Sequence, residues 1–506
     1  MISPLCTDLY QLTMASGYFR SGRARDEAVF HLFFRTHPFG GSYAIAAGLE
    51  AVVELIEGFR FGADDIDYLA SLAAQDGGPE FGADFLDYLR VLRLRVDIDA
   101  VPEGSLVFAH EPIVRVSGRL LEAQLLETAL LNLINFQTLI ATKATRVCQA
   151  AGGQPVLEFG LRRAQGVDGG LSASRAAYIG GCTATSNVLA GKQYGIPVRG
   201  THSHSWVMSF DTELEAFEAY ADAMPDNCLF LVDTYDTLTG VENAIRIGQR
   251  LRLRNKRLLG IRIDSGDLAW LSIQARRRLD AAGFRDAVIV ASNDLDEHVI
   301  ESLRHQGATI GVWGVGTRLV TAYDEPALGG VYKLGLIARA GRQPEPRIKL
   351  SAHAAKTTIP GVQQVRRFSR AGKWVADAIY DERSGLQTPT TIIDPVDATR
   401  RRVLGAELES VDVLVPAVRG GRGVGERPSL GAIRQRAQAQ LDALDPSVRR
   451  LLNPHTYPVG LSESLYRERM RLIDAARAEP GALADADSLG VARENLASGG
   501  PGAGEG

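Results

Sequence analysis

The chain is short of cysteine, long apolar runs, N-terminal basic residues and net charge, and each shortage removes a class of protein. Its four cysteines, Cys6, Cys148, Cys182 and Cys228, are scattered through 506 residues with no CxxC pair. That spacing excludes a disulfide framework or a zinc knuckle and fits buried free thiols in a cytoplasmic protein. The start, Met1-Ile2-Ser3-Pro4 on to Asp8, has no basic region before an apolar stretch, so no signal peptide is expected. The longest apolar segment, 120–151, is interrupted by Glu122, Gln124, Glu127, Asn132, Asn135, Gln137 and Lys143. It is a buried amphipathic helix rather than a membrane span. A net charge of −4 gives no footprint for nucleic acid or an anionic membrane.

What remains is a globular composition, 45% hydrophobic and 23% charged, in a chain long enough for about two or three domains. The pattern predicts helices over 5–20, 48–58, 64–74 and 80–90, with alternating strand-like runs at 28–34 and 105–116. Residues 1–119 therefore read as an α+β domain, and 120–151 as a connecting helix. Beyond it, apolar runs recur at 156–159, 198–200, 229–232, 259–263, 288–291 and 310–315. Helical segments at 172–194, 211–223, 239–254, 267–282 and 295–306 separate them. Such alternation means parallel strands with crossover helices. Every run ends in polar residues or glycine, as if the loops converge on one site. That favours an irregular, incomplete α/β barrel over 120–340 rather than a doubly wound sheet. After 340, strands are expected at 362–368, 373–380 and 408–415 and a helix at 428–444. The glycine-rich 481–506 should be disordered.

The strand ends carry the chemistry. Gly200-Thr201-His202-Ser203-His204-Ser205-Trp206 places two histidines where an apolar run becomes a loop. An HxH after a barrel strand is a feature of metal-dependent hydrolases, but those need further histidines on later strands. Here His298 and His305 fall inside a helical segment. In Arg262-Ile263-Asp264-Ser265-Gly266-Asp267, the first and third residues share one face of a strand, where an apolar core cannot easily bury both. A structural ion pair is the alternative, and Asp267 also suits a helix cap. Arg162 and Arg163 after Phe159-Gly160 suit a phosphate, or a solvated loop. Phe159 suits the core, or stacking on an aromatic ligand. Gly314-Val315-Gly316-Thr317 reads equally as a phosphate-binding turn or a plain one. Ser292-Asn293-Asp294 and Asp233-Thr234-Tyr235 complete the set.

Taken together, these residues resemble the nicotinate phosphoribosyltransferases, a type II phosphoribosyltransferase family. The resemblance runs from Thr7-Asp8-Leu9-Tyr10-Gln11-Leu12-Thr13-Met14 through Glu158–Gln165, Gly200–Ser205 and Asp264-Ser265-Gly266-Asp267 to Gly329-Gly330-Val331-Tyr332-Lys333-Leu334. It implies an incomplete α/β barrel beside a domain built from chain before and after it, so that 341–480 packs with the N-terminal segment. It also implies a homodimer with shared sites, in which Tyr10 of one subunit stacks on the pyridine ring held against Phe159 of the other. Thr201 and Arg262 become nicotinate contacts. Arg162, Asp264, Ser265, Asn293, Gly316 and Thr317 line the phosphoribosyl pocket, and His204 is the histidine that ATP phosphorylates. His202 has no assigned part.

The implied reaction joins the nicotinate nitrogen to the anomeric carbon of 5-phosphoribosyl 1-pyrophosphate, with magnesium and ATP as co-reactants. Asp264 is the candidate carboxylate for charge growing on the ribose. The nicotinamide-specific relatives are the nearest rival. They place a carboxylate near the segment Thr183-Ala184-Thr185-Ser186-Asn187, which carries none. A metal-dependent barrel hydrolase and a non-enzymatic nucleotide-binding regulator are the rivals of other classes.

Overall fold

A computed structural model describes residues 2–351 and 356–478. The expected disordered tail, 481–506, lies outside the described residues. Three sheets organise the chain. The first has seven strands in the order Glu345–Pro346, Val331–Ala338, Glu27–Phe33, Val114–Arg119, Asp97–Ala100, Val415–Arg419, Arg422–Gly423. Its Glu27–Phe33 strand is buried along almost its whole length and pairs antiparallel with Val114–Arg119 on one side and Val331–Ala338 on the other. Chain from before and after the central region is thus hydrogen-bonded into one sheet. Val331–Ala338 belongs to this sheet although it falls within the 120–340 span read as barrel.

The central sheet has six parallel strands in the order Ala184–Thr185, Val156–Glu158, Val312–Val315, Val288–Ala291, Gly260–Ile263, Leu229–Leu231. Its two outer strands do not pair, so the α/β barrel is incomplete. Helices Glu213–Ala223, Thr237–Leu253, Leu268–Ala281 and Glu297–His305 are the crossovers between successive strands. Four of these connections carry their own stop-and-start signals, because Thr212, Asp236, Asp267 and Asp296 each accept a backbone N–H from the first turn of the next helix. A third, six-stranded sheet of residues 363–462 completes the C-terminal segment.

Two expectations along the barrel need correction. Residues 198–200 are not a strand: Val198 makes only an isolated bridge to Thr185. The segment 172–194 is not one helix but helix Val167–Ile179, strand Ala184–Thr185 and helix Val188–Tyr194. Gly181, at φ 119, ends the first helix in a conformation that L side chains rarely adopt. Asn187 then starts the second by accepting the Ala190 N–H at 3.2 Å. The 120–151 helix divides at Leu126 into Leu120–Leu125 and Glu127–Ala151. All four cysteines are free, as expected, but only Cys182 and Cys228 are buried; Cys6 is exposed. Among the described residues no helix is long and apolar enough to cross a membrane.

Candidate active site

Side chains on and beside the barrel strands, among them Leu157, Leu229, Leu259, Val290 and Val312, line a cavity of about 390 Å³. Phe159, Thr201 and Arg262 also line it. Two larger clefts, about 1050 and 520 Å³, lie away from the polar strand ends. The barrel cavity is the one that reaches the strand ends, through Phe159, Thr201 and Arg262, and it is the candidate site.

Phe159 sits where it does because two glycines make room. A Cβ on Gly314 would lie 2.8 Å from the Phe159 ring, and one on Gly160 would lie 2.2 Å from the Val320 side chain. Behind the ring, the buried Glu158 carboxylate accepts from the Gly160 N–H at 2.5 Å, Ser174 Oγ at 2.8 Å and Thr185 Oγ1 at 2.5 Å. The aromatic platform is therefore locked from its backbone side.

Arg262 is half-buried and donates from Nη2 to the His202 carbonyl at 2.9 Å. Its Nε and the Thr201 hydroxyl are buried and have no hydrogen-bond partner among the described residues. Burial pushes the guanidinium below the usual arginine range, while Asp264 and Asp233 pull it back up. Unfilled donors on a buried cation are costly unless something binds there.

The two histidines diverge. His204 begins the short helix His204–Met208; its Nδ1 shares a hydrogen bond with Thr234 Oγ1 at 3.1 Å, and its Nε2 lies 3.9 Å from Asp264 Oδ2. His202 turns into the aromatic cluster of Tyr220, Phe217 and Phe230, its ring centroid 4.9 Å from that of Tyr220. Burial pushes its pKa down to about 4, so the neutral ring accepts the Leu231 N–H at 3.4 Å. That bond bridges the unpaired side of the barrel, between the 198–200 segment and Leu229–Leu231. His202 is a seam in the wall, and His204 faces the chemistry.

Asp264 accepts from Ser292 Oγ. Its own N–H donates to Asp233 Oδ2 at 3.0 Å, and Ser265 Oγ donates to the same oxygen at 2.5 Å. Asp233 Oδ1 is buried without a partner among the described residues. Asp233 stands among the strand ends, yet its position in the sequence alone assigns it no role. Its signal was a carboxylate directly after an apolar strand. Asp267 accepts the Trp270 N–H at 3.0 Å and is a helix cap. Asn293 stands exposed at φ 102, a strained conformation of the kind concentrated at functional sites. Gly316 precedes the four-residue helix Thr317–Val320. Arg162 is exposed and forms no ion pair among the described residues. Tyr10 is not brought to this site within its own chain. It lies 48% exposed on helix Leu9–Arg20, close to Glu127, Asp8 and Gln11.

Models of the N-terminal domain, family region and C-terminal domain of nicotinate phosphoribosyltransferase (NAPRTase) match residues 5–135, 156–343 and 363–469 in turn. The chain belongs to the nicotinate phosphoribosyltransferase family. A nicotinate phosphoribosyltransferase of Bacillus subtilis is 45% identical over 474 residues, 93% of this chain and 95% of that relative. The human member is 38% identical over 533 residues, 91% of this chain and 95% of its own length. The crystal structure of human nicotinic acid phosphoribosyltransferase superposes with a TM-score of 0.80 at 35% identity, covering 92% of this chain and 99% of that one. The family models span all three sheets, so membership covers the barrel cavity, its polar rim and the flanking sheets alike.

Proposed function

We propose that this enzyme transfers the phosphoribosyl group of 5-phosphoribosyl 1-pyrophosphate to nicotinate, giving nicotinate mononucleotide and pyrophosphate for NAD biosynthesis. One observation carries the choice of nicotinate. Arg262 and Thr201 hold unfilled donors beside the Phe159 ring, at a cavity with no aspartate or glutamate among its lining residues. A planar aromatic acid matches that set: the ring stacks on phenylalanine and the carboxylate takes the guanidinium and hydroxyl. The neutral amide lacks the charge pairing that a carboxylate makes with the guanidinium, which argues against the nicotinamide-specific reading.

Asp264 lies on the side of His204 and is held by Ser292 and the Asp233 contacts, a fixed carboxylate for positive charge developing on the ribose ring. Gly316, Thr317, Asn293, Ser265 and Arg162 are assigned to the phosphoribosyl group. Magnesium suits the same corner, because Asp233 and Asp264 are hard oxygen donors and the ion characteristically takes one or two carboxylates plus substrate phosphates. When bound it would neutralise the departing pyrophosphate. His204, with Nδ1 oriented by Thr234, leaves Nε2 as the nitrogen to accept a phosphoryl group from ATP. The phosphorylated ring would add an anion beside Asp264, and its hydrolysis would couple ATP cleavage to turnover. Tyr10, exposed on its helix, is assigned to the partner's nicotinate site in a homodimer.

The test is to incubate the protein with nicotinate, 5-phosphoribosyl 1-pyrophosphate, magnesium and ATP and to assay nicotinate mononucleotide. Nicotinamide in place of nicotinate should be a far poorer substrate; a preference for the amide would overturn the assignment.

A further inference from the structure

Lys143, midway along helix Glu127–Ala151, is completely buried, and its ammonium reaches two carboxylates, Glu297 Oε2 at 2.6 Å and Asp324 Oδ2 at 2.6 Å. Arg146, one turn on, meets the other oxygen of Glu297 at 2.8 Å. Both cations lie over the Phe39 ring, at 5.0 and 5.8 Å from its centre. Burial resists ionisation of Glu297, yet Lys143 and Arg146 together hold its carboxyl below the usual range. A buried charge cluster is poorer than apolar packing as a source of stability alone, so its partners are the place to look for its use.

Those partners flank the phosphoribosyl pocket from two directions. Glu297 follows Asp296, whose Oδ2 takes the Arg318 guanidinium at 2.8 Å, and Arg318 follows Thr317. Asp324 lies beyond the same turn, after Ala322, which is held at φ 45. An L-alanine in that region is strained and must be kept there by its surroundings. The loop that supplies Asp296 and Glu297 begins with Ser292, bonded to Asp264, and Asn293 at φ 102. One buried ammonium thus ties Glu297, directly after Asp296, to Asp324, in the chain after Thr317.

We infer that Lys143 is a positioning residue: acting through Glu297 and Asp324, it holds the Gly316–Thr317 turn and the Ser292–Asn293 loop in the relative placement that the phosphoribosyl group requires. This rests on the assignment of Thr317 to phosphate binding in the proposed function. The step it serves is orientation, where displacements of about 1 Å are costly.

The experiment compares three variants of the full chain. Asp324 is 42% exposed, so Asp324→Asn tests the clamp with little risk to folding. It should raise KM for 5-phosphoribosyl 1-pyrophosphate about five- to tenfold, leaving KM for nicotinate within about twofold and Tm within about 2 °C. Lys143→Met should raise the same KM further and lower Tm as well. Thr317→Ala reports on the turn itself and should also raise that KM. If Thr317→Ala raises KM and Asp324→Asn does not, or if Asp324→Asn shifts Tm and both KM values together, the clamp is refuted while the turn keeps its role. If Thr317→Ala leaves KM unchanged, the phosphate assignment falls and the clamp falls with it.

Discussion

The barrel mouth and the C-terminal sheet both bury arginines next to aspartates, and they treat them in opposite ways. In the C-terminal sheet Arg367 is tied on several sides, although Oε1 of the neighbouring Glu111 has no partner among the described residues. Arg367 donates from Nε and Nη2 to Asp377 and from Nη2 to the Leu106 carbonyl, and it lies 4.0 Å from the centre of the Trp374 ring. Asp377 is itself fully buried and takes the Tyr457 hydroxyl at 2.7 Å. At the mouth, Arg262 Nε, Thr201 Oγ1 and Asp233 Oδ1 are buried with their capacity unfilled among the described residues. The Arg367 cluster, with its counter-ion in place, belongs to the architecture. The unsaturated one is arranged for a group that arrives later, and strain at Asn293 marks the same side of the molecule.

The contrast can be broken most forcefully at the Arg367 end. Arg367→Met leaves Asp377 buried without its counter-ion, which should cost about 3–5 kcal/mol of stability in denaturant unfolding. Turnover per folded molecule should hardly change; a large loss of kcat with normal stability would erase the distinction. Arg262→Met should do the reverse. Removal of a charge-assisted contact of about 2–3 kcal/mol lowers kcat/KM for nicotinate about 30- to 150-fold, while the unfolding midpoint stays close to that of the parent.

Acidity gives a third, intermediate effect. His31, His37, His110 and His202 have their pKa values pushed down by burial to about 3, 4, 4 and 4. Because these folded values lie below the unfolded one, near 6.5, the stability they contribute is complete above pH 6.5. It is lost as pH falls toward about 4. For the fully buried His31 the loss at pH 5 is about 2 kcal/mol. Thermal unfolding across pH 7 to 5 should fall accordingly, and His31→Gln should flatten the slope. An unchanged Tm over that range would contradict the neutral, buried state of these rings. The smallest effect on basal rate is expected at the mouth itself. His204→Ala should abolish stimulation by ATP and leave slow ATP-independent formation of nicotinate mononucleotide within about threefold of the parent. Full stimulation in that variant would remove the histidine from the coupling.

The barrel was legible because its central strands are short apolar runs that end in polar residues, as in Gly260–Ile263 followed by Asp264. Ala184–Thr185 was not, since a two-residue strand leaves no periodic trace between flanking helices. The apolar run at 198–200 invited a strand that the unpaired side of the barrel does not complete. His202 was legible as a notable residue but not as a wall element, because its bond to Leu231 joins positions that only the closed fold brings together. Asp233 stood in plain view after its strand. What the sequence could not convey was that its second oxygen has no partner, a property of packing alone. The Lys143 cluster was less visible still, since a lone lysine in an apolar helix reads as a break in hydrophobicity until Glu297 and Asp324 are placed against it.

The sheet that carries Glu27–Phe33 has a consequence for how the chain is made. One edge of that strand can pair with Val114–Arg119 early, but its other neighbour, Val331–Ala338, emerges about 300 residues later. At about 5–20 residues per second, a ribosome leaves that buried-to-be edge open for roughly 15–60 s. In that interval the barrel can assemble as an insert in an unfinished host. The newborn chain therefore passes through a stage with a growing catalytic cup and a half-built frame, the last cup strand, Val312–Val315, emerging just before Val331–Ala338. During that stage the bare edge of the strand, not the cup, is where association with other nascent chains would start.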